Sequence, residues 1–128
     1  MILAIDTSTP ECRMSLIGED KAINKSWLAE RRLALELLEQ LENFLKENDL
    51  AFQDLAGLII FRGPGSFTGL RIGVTVFNTL ADSLSIPIAG EVGEDWQKVG
   101  IERIKNRQTD KIVLPEYGSP PHITKPTK

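Results

Sequence analysis

Residues 55 to 85 run from a nearly unbroken apolar stretch, Leu55 to Phe61, through Arg62-Gly63-Pro64-Gly65-Ser66-Phe67-Thr68-Gly69-Leu70-Arg71-Ile72-Gly73 into an amphipathic stretch that ends near Ser85. An apolar run of that length bounded by turn residues reads as a buried parallel strand. The stretch after the glycines reads as a helix over Thr68 to Ser85. On it Leu70, Ile72, Val74, Val76, Phe77, Leu80, Ala81 and Leu84 span roughly 200° at ~100° per residue. One sheet cannot bury so wide an arc. The excess predicts a second contact, either with the first helix of the chain or with another chain.

The remaining segments supply a sheet and a further helix. Ile2 to Asp6 is a short apolar strand ending in the turn signal Asp6-Thr7-Ser8-Thr9-Pro10, where Asp6 is expected to form an Asx-turn or cap. A hairpin follows, with Cys12, Met14 and Leu16 on one face of Cys12 to Ile17, and Gly18-Glu19-Asp20 turning the chain into Lys21 to Leu28. Glu30 to Asn48 predicts a helix whose Leu33, Ala34, Leu37, Leu38, Leu41, Phe44 and Leu45 fill an arc of about 140°. Ile86 to Gly90 is another strand, which Pro87 assigns to an edge or a strand start. Trp96, Val99, Ile101 and Ile104 fit a short amphipathic helix interrupted by Gly100. Leu114 to Lys128 contains Pro115, Pro120, Pro121 and Pro126 and reads as extended chain without a core of its own, Tyr117 being the anchor if it docks.

Three meandering strands, helix, strand, helix, strand is the order of the ribonuclease H-like half-domain of the actin-like and sugar-kinase ATPases. The expected fold is therefore α/β, a mixed five-stranded sheet with two main helices over residues 1–91. Residues 92–128 are expected to add a short helix or linker and a proline-rich basic tail.

Gly63, Gly65 and Gly69 can take positive φ or admit close backbone approach, and Pro64 fixes one turn, so the loop amides would line an anion-binding nest at a helix N-terminus. Neither standard phosphate spacing is met. Gly69 is followed by Leu70 and Arg71 where a Walker A loop needs Lys and then Ser or Thr, and Thr68 stands where the dinucleotide fingerprint needs Gly. Together with the opening Ile2-Leu3-Ala4-Ile5-Asp6-Thr7-Ser8-Thr9, the loop resembles the TsaB (YeaZ) family, the dimerization subunits of bacterial tRNA threonylcarbamoyladenosine synthesis. The resemblance runs from Met1 to about Glu91. A short piece, Leu114-Pro115-Glu116-Tyr117, is similar to the Pro-x-Tyr ending of family members, whereas most of the family's second lobe has no counterpart.

The resemblance implies a non-catalytic subunit that pairs with the catalytic homologue TsaD and works with the ATPase TsaE. That complex transfers threonylcarbamoyl to N6 of an adenosine beside the anticodon. ATP and metal are then expected on the partner subunits and none on this chain, tRNA is met only through the complex, and a homodimer is expected when the chain is alone. The two helices would meet their equivalents on the partner, with Leu37, Leu41, Phe44, Ile72, Val76 and Leu80 at the interface. Arg62, Gly63, Pro64, Gly65, Ser66, Phe67, Thr68, Gly69 and Arg71 are the candidate loop contacts for an anion or a partner. A free-standing anion- or nucleotide-binding module built on Gly63 to Arg71 is the alternative.

Composition narrows the classes further. At 128 residues one domain is expected, without the length for the two-lobed cleft of a kinase. No apolar run approaches the ~20 residues of a membrane span, and the expected compartment is the cytoplasm. Residues 1–97 carry 8 basic against 15 acidic side chains, while residues 98–128 carry 7 against 3. The acidic part should repel phosphates, and the basic tail is read as a solvated, mobile terminus, with contact to tRNA or to an acidic partner as the alternative. A nuclease needs several convergent acids, but the central strand ends in Phe61 and Arg62, leaving Asp6 alone. The catalytic relatives carry paired histidines on the first helix; here that helix reads Arg32-Leu33-Ala34-Leu35-Glu36-Leu37-Leu38, and the single histidine is His122. Ser66 and Thr68 have no base beside them in sequence. Cys12 has no second cysteine to pair with and is expected to be half-buried in its strand.

Overall fold

The computed structural model describes residues 1–117. Its sheet has five strands, β1 (Ile2–Asp6), β2 (Glu11–Ile17), β3 (Ala22–Leu28), β4 (Gly57–Phe61) and β5 (Ile88–Glu91), in the order β3-β2-β1-β4-β5. The meander β1-β2-β3 is antiparallel, and β4 and β5 extend it in parallel from β1. This is the α/β half-domain topology expected from the order of apolar segments.

Side-chain alternation along the strands decides what each face of the sheet carries. Leu3 lies beside Leu16 and Leu58, and Ile5 beside Met14 and Ile60; these six residues are buried in one cluster with the helices α1 (Leu33–Glu47) and α2 (Phe67–Leu84). Ala4, Ile59 and Ala89, out of phase with them, are also fully buried, and a third helix, α3 (Trp96–Lys105), packs over β4 and β5. No break occurs at Gly100, contrary to the expected interruption. A Cβ there would lie 2.6 Å from Ile59 Cγ2, so the missing side chain is what lets α3 approach the sheet.

Helix α1 starts later than its pattern suggests because Glu30 takes φ 50° and residues 30–32 form a single 3-10 turn. The wide apolar arc of α2 is shared between two contacts. Leu70, Val74, Phe77 and Ala81 are buried in the core, while Ile72, Val76 and Leu80 are only partly buried against it, on a helix that also contacts α1. One expectation is overturned: Leu37, Leu41 and Phe44 are 1, 0 and 1 % exposed and belong to the core. The richest apolar stripe of α1 is consumed by the sheet and α2, so these three residues are not available as a partner interface.

The segment after α3 also departs from expectation. Asp110 bridges to Ile88 at the free edge of β5, Val113 is 2 % exposed, and the chain continues to Tyr117 as a strap bound to the domain. Pro120, Pro121, His122 and Pro126 lie outside the described residues. Among the described residues no helix is long and apolar enough to cross a membrane.

Candidate functional site

The glycine segment turns out to be a joint between three parts of the chain. Gly63 has φ 130°, a conformation that L side chains rarely adopt, and a Cβ there would collide with the carbonyl of Glu116 in the strap. On the other side, Cβ atoms at Gly65, Gly69 and Gly73 would collide with Ser8 Cβ, Thr7 O and Thr7 Oγ1 respectively. The first two turns of α2 therefore lie directly on the β1–β2 turn. Hydrogen bonds close the joint: Ser66 N–H donates to Ser8 O at 2.9 Å and Thr7 Oγ1–H to Gly69 O at 2.7 Å.

Ser66 caps α2, its Oγ accepting the Gly69 N–H at 3.2 Å. Two amides that an anion nest would present, those of Ser66 and Gly69, are thus already donated inside the protein. The geometry does not favour a phosphate cradle. Pro64, Phe67 and Thr68 are exposed, and Arg62 reaches the strap, Nη1 donating to Leu114 O at 3.4 Å.

Besides the Arg62–Leu114 contact, the strap is held at four further points. Asp110 receives Arg103 Nη2–H at 2.9 Å and the Gly90 N–H at 2.9 Å, while Arg103 Nη1–H also reaches Glu91 at 2.6 Å. The hydrogen bond to Asp110, with that to Glu91, raises the Arg103 pKa above its usual value against the opposing effect of burial. Val113 sits against Gly90, and Asn78 of α2 clamps its peptide from both sides, Val113 N–H to Oδ1 at 2.9 Å and Nδ2–H to Val113 O at 3.0 Å. Glu116 N–H donates to Arg62 O at 2.6 Å. Tyr117 then stacks on Phe67, ring centroids 4.5 Å apart, the anchor contact expected of a docked tail. Asn78, Asp110 and Val113 were not singled out by sequence reading.

The outer surface of the α1–α2 pair is the other site. Ala34 and Leu38 on α1 flank the core stripe, and Leu35 is 83 % and Leu38 53 % exposed. A groove of about 330 Å³ runs between Ala34 and the α2 residues Thr68, Arg71, Ile72, Thr75 and Val76. Of the residues expected at an interface, Ile72 and Val76 line this groove, Leu80 is partly buried against the core, and Leu37, Leu41 and Phe44 lie within the core. Leu35 lies between Ala34 and Glu36, outside the apolar arc of the helix, and no sequence signal singled it out.

Asp6 behaves as a turn residue, its Oδ1 accepting the Ser8 N–H at 2.8 Å. It also lines a cleft of about 380 Å³ with Arg13, Ser15, Asn24, Trp96 and Gln97 on the α3 side of the sheet. Cys12 is 1 % exposed, more than the half-burial expected; desolvation, helped by the charge of Asp6, pushes its thiol up to about 11. Among the described residues no three His, Cys, Asp or Glu side chains are grouped to hold a metal.

Comparisons with known proteins place this architecture. Residues 27–91 match the family model described as "TsaD: tRNA N6-adenosine threonylcarbamoyltransferase". The tRNA threonylcarbamoyladenosine biosynthesis protein TsaB of Bacillus subtilis (strain 168) is 41% identical over 90 residues, 69% of this chain and 39% of that protein. Its Escherichia coli (strain K12) counterpart is 33% identical over 110 residues, 80% of this chain and 47% of that protein. The solved structure of YeaZ from Pseudomonas aeruginosa superposes with a TM-score of 0.67 at 34% identity, covering 71% of this chain and 43% of that one. The chain spans less than half the length of these relatives. With the loop, the sheet order and the sequence matches in agreement, the chain belongs to the TsaB (YeaZ) family.

Proposed function

We propose that this protein is a non-catalytic TsaB-type subunit that pairs with a TsaD-type catalytic homologue, alongside a TsaE-type ATPase, in forming N6-threonylcarbamoyladenosine in tRNA. The carrying observation is the apolar surface on α1 and α2: Leu35 and Leu38 are exposed on α1, and Ile72 and Val76, only partly buried, line a groove between α2 and Ala34 of α1. A four-helix contact with an equivalent helix pair would cover it, and a second copy of this chain would cover it when the homologue is absent. ATP and metal belong to the partner subunits in this reading, tRNA is engaged only through the assembled complex, and the complex works in the cytoplasm. Support for the absence of chemistry comes from the residues, since α1 carries no histidine and the Ser66 hydroxyl is occupied as a helix cap.

A reconstituted reaction with tRNA, threonylcarbamoyl-adenylate and the TsaD-type homologue, with and without this chain, tests the reading. Modified adenosine should form only when both proteins are present. Product from this chain alone would overturn the non-catalytic role, and equal product with and without it would remove the subunit role.

A further inference from the structure

The first turn of α2 carries a cluster of three side chains gathered on Phe67. Tyr117 of the strap lies on one part of the Phe67 ring, and the Arg71 guanidinium stands 5.5 Å from the centroid of the same ring. Phe67 is 51 % exposed and Arg71 is exposed, so the cluster is a surface feature and the rings are not there to fill the core. Arg71 also lines the α1–α2 groove, whose other walls, Ala34, Thr68, Ile72, Thr75 and Val76, are uncharged. Among the described residues Arg71 makes no ion pair and no side-chain hydrogen bond. A long cationic side chain on an exposed helix face ordinarily samples many rotamers. An aromatic platform under the guanidinium narrows that choice while leaving its donors open.

We propose that Arg71, positioned on Phe67 and backed by the strap through Tyr117, is the charged specificity determinant of the α1–α2 face and pairs with a carboxylate on the helices of the partner subunit. The inference rests on the proposed pairing with a TsaD-type protein. A carboxylate fits better than an RNA phosphate for two reasons. Residues 1–97 carry a net charge of −7, which opposes a polyanion, and the groove offers one cation on an apolar and threonine floor, the setting of a single ion pair within a helix–helix contact. Tyr117 is a positioning residue in this scheme, acting through Phe67.

The test is affinity of the full chain for the TsaD-type protein of the same cell, by calorimetry at several salt concentrations, with thermal unfolding of each variant alone. Arg71→Ala should weaken binding by about tenfold or more and flatten its salt dependence, with unfolding unchanged. Arg71→Lys should recover part of the loss. Tyr117→Ala should weaken binding about two- to fivefold and Tyr117→Phe should not, since the ring and not the hydroxyl supports the stack. Binding of Arg71→Ala within twofold of wild type, with the same salt slope, would overturn the assignment while leaving the pairing intact. No binding by the wild-type chain would remove the pairing and this inference together. A loss seen only when tRNA is present would replace the carboxylate with a phosphate.

Discussion

Gly65 shows how a residue without a side chain can be more constrained than its neighbours. Its backbone does not need positive φ; it needs room, because Ser8 occupies the position of a Cβ, and Gly69 and Gly73 meet Thr7 in the same way. Gly65→Val is expected to destabilise the domain by about 1–3 kcal/mol through overpacking, whereas Arg71→Ala should change stability by less than about 0.5 kcal/mol. Denaturant unfolding of both variants checks the contrast. That the loop matters was legible in Arg62 to Gly73, but the glycine contacts were not: Thr7 and Gly69 are 62 positions apart, and Glu116 lies farther still from the opening strand. Cys12 gives a pH-dependent prediction at the same scale. Its folded pKa of about 11 exceeds the ordinary thiol value, so its contribution is fully present below about pH 9 and is lost as pH rises toward 11. Relative to a Cys12→Ala variant, wild-type stability should fall across that window in denaturant titrations, and parallel curves would contradict the buried, protonated thiol.

Elements meet through residues that periodicity does not mark. Asn78 lies on the flank of α2 and has no apolar pattern to announce it, yet both bonds of its amide go to the peptide of Val113. Losing them costs about 1 kcal/mol each, which for a segment bound by few contacts is enough to open it locally. In Asn78→Ala, hydrogen exchange at the Val113 and Glu116 amides should accelerate while β1 and β4 stay protected; unchanged exchange at Val113 would show that the Asp110–Arg103 lock holds the strap unaided. Proline content correctly indicated that residues 114–117 form no regular element. What it did not reveal is that extended chain can be bound firmly when a preceding residue, Val113, is buried against a glycine.

For the whole molecule, the strand order and the two main helices follow from apolar runs and their periods, because β1, β4 and α2 are each buried along a continuous stripe. The proposed partner surface was only half legible for a related reason. Periodicity finds the most apolar stripe of a helix, and in α1 that stripe, Leu37, Leu41 and Phe44, is claimed by the core; the exposed leucines left for the proposed pairing are Leu35 and Leu38. The charge balance separates the acidic residues 1–97 from the basic residues beyond Gln97. The central claim is pairing through the α1–α2 face, and its most direct measurement is light scattering of this chain mixed with the TsaD-type homologue, wild type against Leu38→Glu. Leu38 is exposed, so the variant should fold as the wild type does. The account predicts a one-to-one complex with the wild type and separate species with Leu38→Glu; an intact complex carrying the variant, or none with the wild type, would contradict it.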